Sequence, residues 1–177
     1  MTVELKVRFP VDDAELSRLH QRAFSPDHPD PETAITGWAQ RLERHSLTWA
    51  GAFSSGRLVG FVHAVWDGGT HAFILDTMVH PDFQRLGIGR DLVRAVTDEA
   101  FTAGCHWVHV DYEPHLAHFY EHACGFRPTP AALRHAPDPS PYPAHLIHQP
   151  ARHPPGPAGR NVGQSRDAAT ADRQLET

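Results

Sequence analysis

From Thr2 to Phe9 apolar and polar residues alternate, with Val3, Leu5, Val7 and Phe9 on one side and Glu4, Lys6 and Arg8 on the other. That period of two predicts a half-buried strand. Asp12 or Asp13 can then cap a helix whose apolar stripe is Leu16, Leu19, Ala23 and Phe24. Ser25 to Asp30 reads as a proline-punctuated loop, and Asp30-Pro31-Glu32 as the start of a second helix with Ile35, Trp38, Ala39 and Leu42 on its buried side. Leu47 to Phe53, Arg57 to Trp66 and His71 to Val79 predict three successive strands. Ser54-Ser55-Gly56 and Asp67-Gly68-Gly69 between them are short enough to impose an antiparallel meander. Ile88, Leu92, Val93, Val96 and Ala100 recur at helical spacing, with Gly104 as the stop. A strand from Trp107 to Tyr112 and a helix opening at Pro114, with Leu116, Phe119, Tyr120 and Ala123 on one stripe, come next. A last strand is expected to begin at Gly125-Phe126-Arg127 and, interrupted by Pro128 and Pro130, to resume through Leu133.

The order β-α-α-β-β-β-α-β-α-β describes a mixed α/β domain over residues 1–135, its central sheet mostly antiparallel and flanked by helices. Beyond it the pattern stops. Half of the chain's 16 prolines fall between Pro137 and Pro157, and the rest of that segment is mostly small and polar. Residues 136–177 therefore cannot bury enough apolar surface to offset their conformational entropy, and a disordered tail is expected.

Charge and cysteine count narrow the function classes. A net charge of −5 argues against bulk nucleic-acid binding. No apolar run is long enough for a membrane span, and Met1 to Lys6 lacks the layout of a signal peptide. Cys105 and Cys124 are too few and too far apart for a disulfide framework, so a reducing cytoplasm is expected.

The most informative stretch is His80-Pro81-Asp82-Phe83-Gln84-Arg85-Leu86-Gly87-Ile88-Gly89-Arg90. It joins a strand to a helix, carries two glycines at the helix start and has arginines on both sides. Unpaired N–H groups at a helix N-terminus, unobstructed by side chains, suit a phosphate or pyrophosphate. Neither the Walker loop nor the G-x-G-x-x-G dinucleotide fingerprint fits, because Leu92 stands where a third glycine would fall. What remains is Q-x-x-G-x-G. Gln84 to Gly89, preceded by Val79-His80-Pro81, resembles the acyl-CoA pyrophosphate loop of the GNAT superfamily of N-acetyltransferases. Phe119-Tyr120 followed by Cys124-Gly125-Phe126 resembles that family's second signature.

The resemblance implies an enzyme that moves an acetyl group from acetyl-CoA, as co-substrate, to a primary amine by direct transfer. It implies that Gln84, Arg85, Leu86, Gly87, Ile88, Gly89 and Arg90 hold the pyrophosphate. The backbone of Val79 would meet the thioester carbonyl, Met78 would line the same slot, and Phe119 would face the cofactor arm. Tyr120 would be the general acid: a phenol with pKa about 10 is protonated at neutral pH yet can serve a departing thiolate. Asp76, three residues before Val79, is the leading general base, with Asp111, His63 and His71 as alternatives. Two departures from the family pattern stand out. Four residues, not three, separate Tyr120 from Gly125, and an extra residue rotates a helical position by about 100°. Glu113 occupies the position of an asparagine that contacts the pantetheine arm, and an ionised carboxylate cannot donate a hydrogen bond.

The competing reading is a non-catalytic acyl-CoA-binding sensor or regulatory module. No metal is expected: His115, His118 and His122 share one helix face, but so does a solvated surface. A homodimer is compatible with the pattern, and the acceptor cannot be read from the residues.

Overall fold

The structure, a computed structural model, describes residues 2–24 and 37–134. Its elements are β1 (Val3–Val7), α1 (Asp13–Phe24), α2 (Trp38–His45), β2 (Ser46–Ser54), β3 (Arg57–Trp66), β4 (His71–Val79), α3 (Ile88–Thr102) and β5 (Trp107–Val110). The five strands form one sheet in sequence order. β1 to β4 pair antiparallel and β5 joins β4 in parallel, so the sheet is mixed and mostly antiparallel. The chain divides into two units, Met1–Pro130 and Ala131–Thr177. The expected tail at 136–177, the loop Ser25 to Asp30, the helix start at Asp30-Pro31-Glu32 and Ile35 lie outside the described residues. No helix among the described residues is long and apolar enough to cross a membrane.

Two cores lie on opposite faces of the sheet. On one face α3 contributes Ile88, Leu92, Val93 and Val96, packed on Ala50, Ala52, Val62, Ala64 and Ile74. On the other, Leu16 and Leu19 of α1 and Trp38 and Leu42 of α2 pack on Trp49, Leu58, Phe61 and Met78. Asp12 caps α1, its Oδ1 accepting from the Glu15 N–H at 2.7 Å. Asp13 ties the two helices together by accepting from the Ala39 N–H at 2.8 Å. α3 ends as expected at Gly104: the Gly104 N–H donates to the Phe101 carbonyl and the Cys105 N–H to that of Ala100.

Four expectations fail for identifiable reasons. Val3, Leu5, Val7 and Phe9 do not share one buried side. β1 is an edge strand, with Leu5 39% and Val7 40% exposed, and Arg8 adopts φ 48°, which turns Phe9 onto the opposite face. There its ring lies over Gly51, within 2.5 Å of where a Cβ would stand. Phe24 is 53% exposed rather than part of the α1 stripe, because it falls in the helix's last turn. The helix expected at Pro114 is a 3₁₀ turn (Pro114–Leu116) followed by a π-helical turn (His118–Ala123), which leaves Leu116 and Ala123 exposed. Residues 125–134 form no strand, since Pro128 and Pro130 have no N–H to donate to a ladder.

Candidate active site

β4 and β5 pair only from His71↔Trp107 to Ile74↔Val110, after which β5 ends while β4 continues to Val79 against β3. The last five residues of β4 thus have an open side. The His80 N–H donates to the Val59 carbonyl of β3 at 2.8 Å. Because successive N–H groups point to opposite sides of a strand, the Val79 N–H is turned toward the gap. Met78 behaves otherwise than expected. Its side chain is 2% exposed and sealed in the α1/α2 core, so only its backbone can border the slot.

Directly after β4, His80 caps a 3₁₀ turn (Pro81–Phe83), and the Gln84 side-chain amide donates to the Val79 carbonyl at 3.2 Å. Arg85 (φ 61°) and Gly87 (φ 82°) both adopt the left-handed conformation. Gly87 is the N-cap of α3 and no side chain caps the helix. The first intrahelical bond runs from the Asp91 N–H to the Gly87 carbonyl at 3.1 Å, so the N–H groups of Ile88, Gly89 and Arg90 have no helical acceptor. Successive free N–H groups with left-handed residues beside them form an anion-binding concavity. The site therefore fits a pyrophosphate through its backbone. The side chains contribute less than the sequence suggests. Ile88 is buried in the core, Leu86 is 57% exposed, and the Arg90 guanidinium already donates to Asp91 Oδ1 at 3.0 and 3.1 Å.

The two glycines do different things. Gly87 is needed for its positive φ, a conformation L side chains rarely adopt. Gly89 is needed for packing, since a Cβ there would lie 3.2 Å from the Phe119 ring and 3.6 Å from Val79. Phe119 thus braces the start of α3 against the end of β4. Glu113 is exposed at the N-cap of the second 3₁₀ turn and makes no side-chain cap bond.

Tyr120 follows in the π-helical turn, buried at 5% exposure among the α3-side residues. In this turn the Cys124 N–H reaches back five residues to Phe119 and the Phe126 N–H six to Tyr120. The widened turn absorbs the extra residue between Tyr120 and Gly125, as single π turns do at functional sites. Burial raises the phenol above its ordinary pKa. The nearby Thr77 hydroxyl pulls it back without reaching hydrogen-bond geometry, and Cys124 adds to the rise.

Asp76 sits on the other face. The β3–β4 register slips between Phe61↔Met78 and His63↔Leu75, which places a bulge in β4, and Asp76 adopts φ 53°. Its Oδ2 accepts from Arg41 Nη2 at 2.8 Å and from His63 Nε2 at 3.0 Å. Burial favours the neutral acid, but the His63 hydrogen bond and the charges of His63, Arg41 and His20 outweigh it and hold the carboxyl below its ordinary range. An ionised carboxylate only accepts, so His63 carries its proton on Nε2. Its Nδ1 lies 2.8 Å from the Ser46 hydroxyl, within hydrogen-bond distance. His63 itself is 3% exposed. Arg41 also stacks 4.2 Å over the Trp38 ring. Burial lowers the pKa of the neighbouring His20, with Asp76 opposing and Arg41 reinforcing.

So the structure joins Asp76 to His63, one of the alternative bases, and separates it by the thickness of the sheet from Tyr120. His71 pairs instead with His109, and Asp111 is exposed just beyond β5. Arg41, Ser46, His20 and Thr77 were not legible as site residues. No local pattern marks them, and they meet Asp76 or Tyr120 only through register and helix packing. Among the described residues, no group of three or more His, Cys, Asp or Glu side chains could hold a metal ion.

A red-algal protein from Porphyra purpurea described as "Uncharacterized N-acetyltransferase ycf52" is 36% identical over 81 residues, 46% of this chain and 46% of its own. The rice "Serotonin N-acetyltransferase 2, chloroplastic" (Oryza sativa subsp. japonica) is 31% identical over 96 residues, 52% of this chain and 48% of its own. The chain thus matches about half the length of these curated relatives. Among solved structures, an aminoglycoside N-acetyltransferase AAC(6')-Iy in complex with CoA superposes with a TM-score of 0.61 at 19% identity, covering 77% of this chain and 95% of that one, a likeness of fold. The sequence profile described as acetyltransferase (GNAT) family matches residues 14–126, well over half of the chain, and the protein belongs to that family.

Proposed function

We propose that the chain is an acyltransferase that moves an acetyl group from acetyl-CoA to a primary amine by direct transfer. The observation that carries this is the end of β4, where the strand parts from β5, turns the Val79 N–H into the gap and runs straight into the uncapped N-terminus of α3. A bound acetyl-CoA would supply an activated thioester. The N–H groups of Ile88, Gly89 and Arg90 would hold its diphosphate, and the Val79 N–H would stabilise negative charge on a carbonyl oxygen. Asp76, anionic and aimed by Arg41 and His63, would attract an ammonium group and take up the proton that the amine nitrogen sheds as it bonds to the carbonyl carbon. Tyr120, kept protonated by burial, would donate one on the opposite side of β4.

Direct transfer is favoured because, among the described residues, no activated nucleophile stands near the gap. Cys124 has its thiol pushed up to about 11 by burial, far from a thiolate at neutral pH. Ser46, hydrogen-bonded to His63, has the partners of an activated serine. But it pairs with Val65 while Val79 pairs with Gly60, so about 16 Å of strand lies between them. The two cysteines are unpaired, which suits the proposed setting of a reducing cytoplasm.

A thiol-release assay over a panel of primary amines, followed by initial-rate kinetics in both substrates, tests this reading. Intersecting double-reciprocal lines are expected. Parallel lines would establish an acyl-enzyme, and tight acetyl-CoA binding with no thiol release for any amine would leave a sensor.

A further inference from the structure

Among the described residues β1 pairs only with β2, from Val3↔Ser54 to Val7↔Ala50. The phase of that ladder follows from its end, where the Arg8 N–H donates to the Trp49 carbonyl at 2.9 Å. Backbone groups alternate in direction along a strand, so Glu4 and Lys6 also turn theirs toward β2. Val3, Leu5 and Val7 therefore hold their N–H and C=O groups toward the outer edge. Neither a proline nor a bulge against β2 interrupts Val3–Val7, the usual devices that spoil an edge for pairing.

The side chains alternate too. Val3 and Leu5 lie on the α3 face, where with Leu86, Ile88 and Asp91 they line a depression of about 390 Å³. Lys6 lies on the other face, its ammonium 5.0 Å over the Phe53 ring and 3.2 Å from the Glu4 carboxylate. Charges on an edge strand discourage pairing in most registers. Here one register turns them into an attraction. When identical strands pair antiparallel, outward-facing groups must meet outward-facing groups, so the two-fold axis passes through a residue and never between two. With the axis at Leu5, all five residues of β1 are matched. Glu4 then faces Lys6 of the second copy at both ends, Val3 faces Val7, and Leu5 faces itself. One residue to either side, Glu4 or Lys6 would instead face its own charge.

We propose that β1 is a homodimer interface, in which a second copy of this chain adds its own β1 antiparallel across an axis at Leu5 and the two sheets become one. Val3, Leu5 and Val7 exchange backbone hydrogen bonds with the same residues of the second copy. Their side chains meet on the α3 face and extend across the depression beside Leu86, which removes apolar surface from water. On the opposite face each Glu4 trades its own Lys6 for that of the second copy. The self-complementary order Val-Glu-Leu-Lys-Val is what selects a second copy over an unrelated strand.

Light scattering on the full chain over a range of concentrations tests this, and twice the mass of one chain is expected. Leu5→Pro deletes an N–H that β2 does not use, so it should give a monomer with nearly unchanged circular dichroism. Glu4→Lys and Lys6→Glu each set like charges opposite one another at both ends, and each is expected to weaken the dimer by about tenfold or more. Mixed in equal amounts, the two variants should recover it as a heterodimer. The double variant Glu4→Lys/Lys6→Glu should dimerise as the wild type does. A wild type that keeps the mass of one chain at every concentration would overturn the proposal, whether another segment of the chain or water lies along the edge. A dimer that every variant leaves intact would place the contact on a different surface. Single variants that weaken it without recovery on mixing would refute the register.

Discussion

Asp76→Asn is the sharpest perturbation of the site. Asparagine keeps the shape and tolerates the left-handed conformation at φ 53°, so the bulge need not change. Its amide oxygen can still accept from Arg41 and His63, which stand 2.8 and 3.0 Å from the carboxylate. What is lost is the charge. Hydrogen bonds to charged groups are worth about 1.5–3 kcal/mol against about 1 for neutral ones, so two weakened bonds predict a loss of about 1–3 kcal/mol at neutral pH. Asp76→Ala should cost more, because it adds about 1–2 kcal/mol of left-handed strain and strands both donors. The pH dependence has a definite sign. Asp76 is held below its unfolded pKa of about 3.9, so its contribution is whole above that pH and drains away as pH falls through the lower folded value. Urea unfolding at pH 7 should therefore separate wild type from Asp76→Asn, and the gap should narrow as the pH falls below about 4. Turnover should fall by about 10²–10⁴ with acetyl-CoA affinity unchanged, as for a lost general base. Undiminished turnover would remove Asp76 from proton transfer, and a stability gap that persists at acid pH would mean that its charge is not what the fold uses.

Tyr120→Phe should lower kcat with little change in acetyl-CoA affinity, and in the wild type any alkaline loss from phenol ionisation should fall above pH about 10, since burial raises that pKa; equal turnover would assign the tyrosine to packing. Gly87→Val should weaken acetyl-CoA binding in calorimetry and lower Tm, because a β-branched residue at φ 82° costs at least about 1–2 kcal/mol per residue. Gly89→Ala should act differently, pushing on the Phe119 ring 3.2 Å away and so reducing turnover more than binding; a pure binding defect would show that its Cβ faces the ligand instead. Cys124 should react with a thiol reagent at pH 8 far more slowly than after denaturation, and fast native labelling would contradict its burial.

Much of the frame was legible because it is written in local periodicity. Arg57 to Trp66 and His71 to Val79 alternate or run apolar between glycine-bearing turns, and those strands form with the expected ends. The stripe Ile88, Leu92, Val93, Val96 and Ala100 is the buried face of α3. The loop from Gln84 to Arg90 was legible for the same reason, since a helix N-terminus needs only the residues that form it. The chemistry around Asp76 was not. Arg41 is 35 residues away and His63 is 13 away, and neither a heptad nor an alternation joins them. A one-residue bulge in β4 decides which face Asp76 shares, and a bulge arises from how two strands fit together, not from either alone. Likewise Met78 looked like a slot residue until helix packing claimed it for the second core. The added residue after Tyr120 looked like a misdirected side chain until a π turn took it up. Sequence by itself determined which segments are strands and helices and where backbone donors lie open to an anion. Tertiary structure alone decided which charges meet, because side-chain partners are chosen by register and burial across segments that no short pattern links.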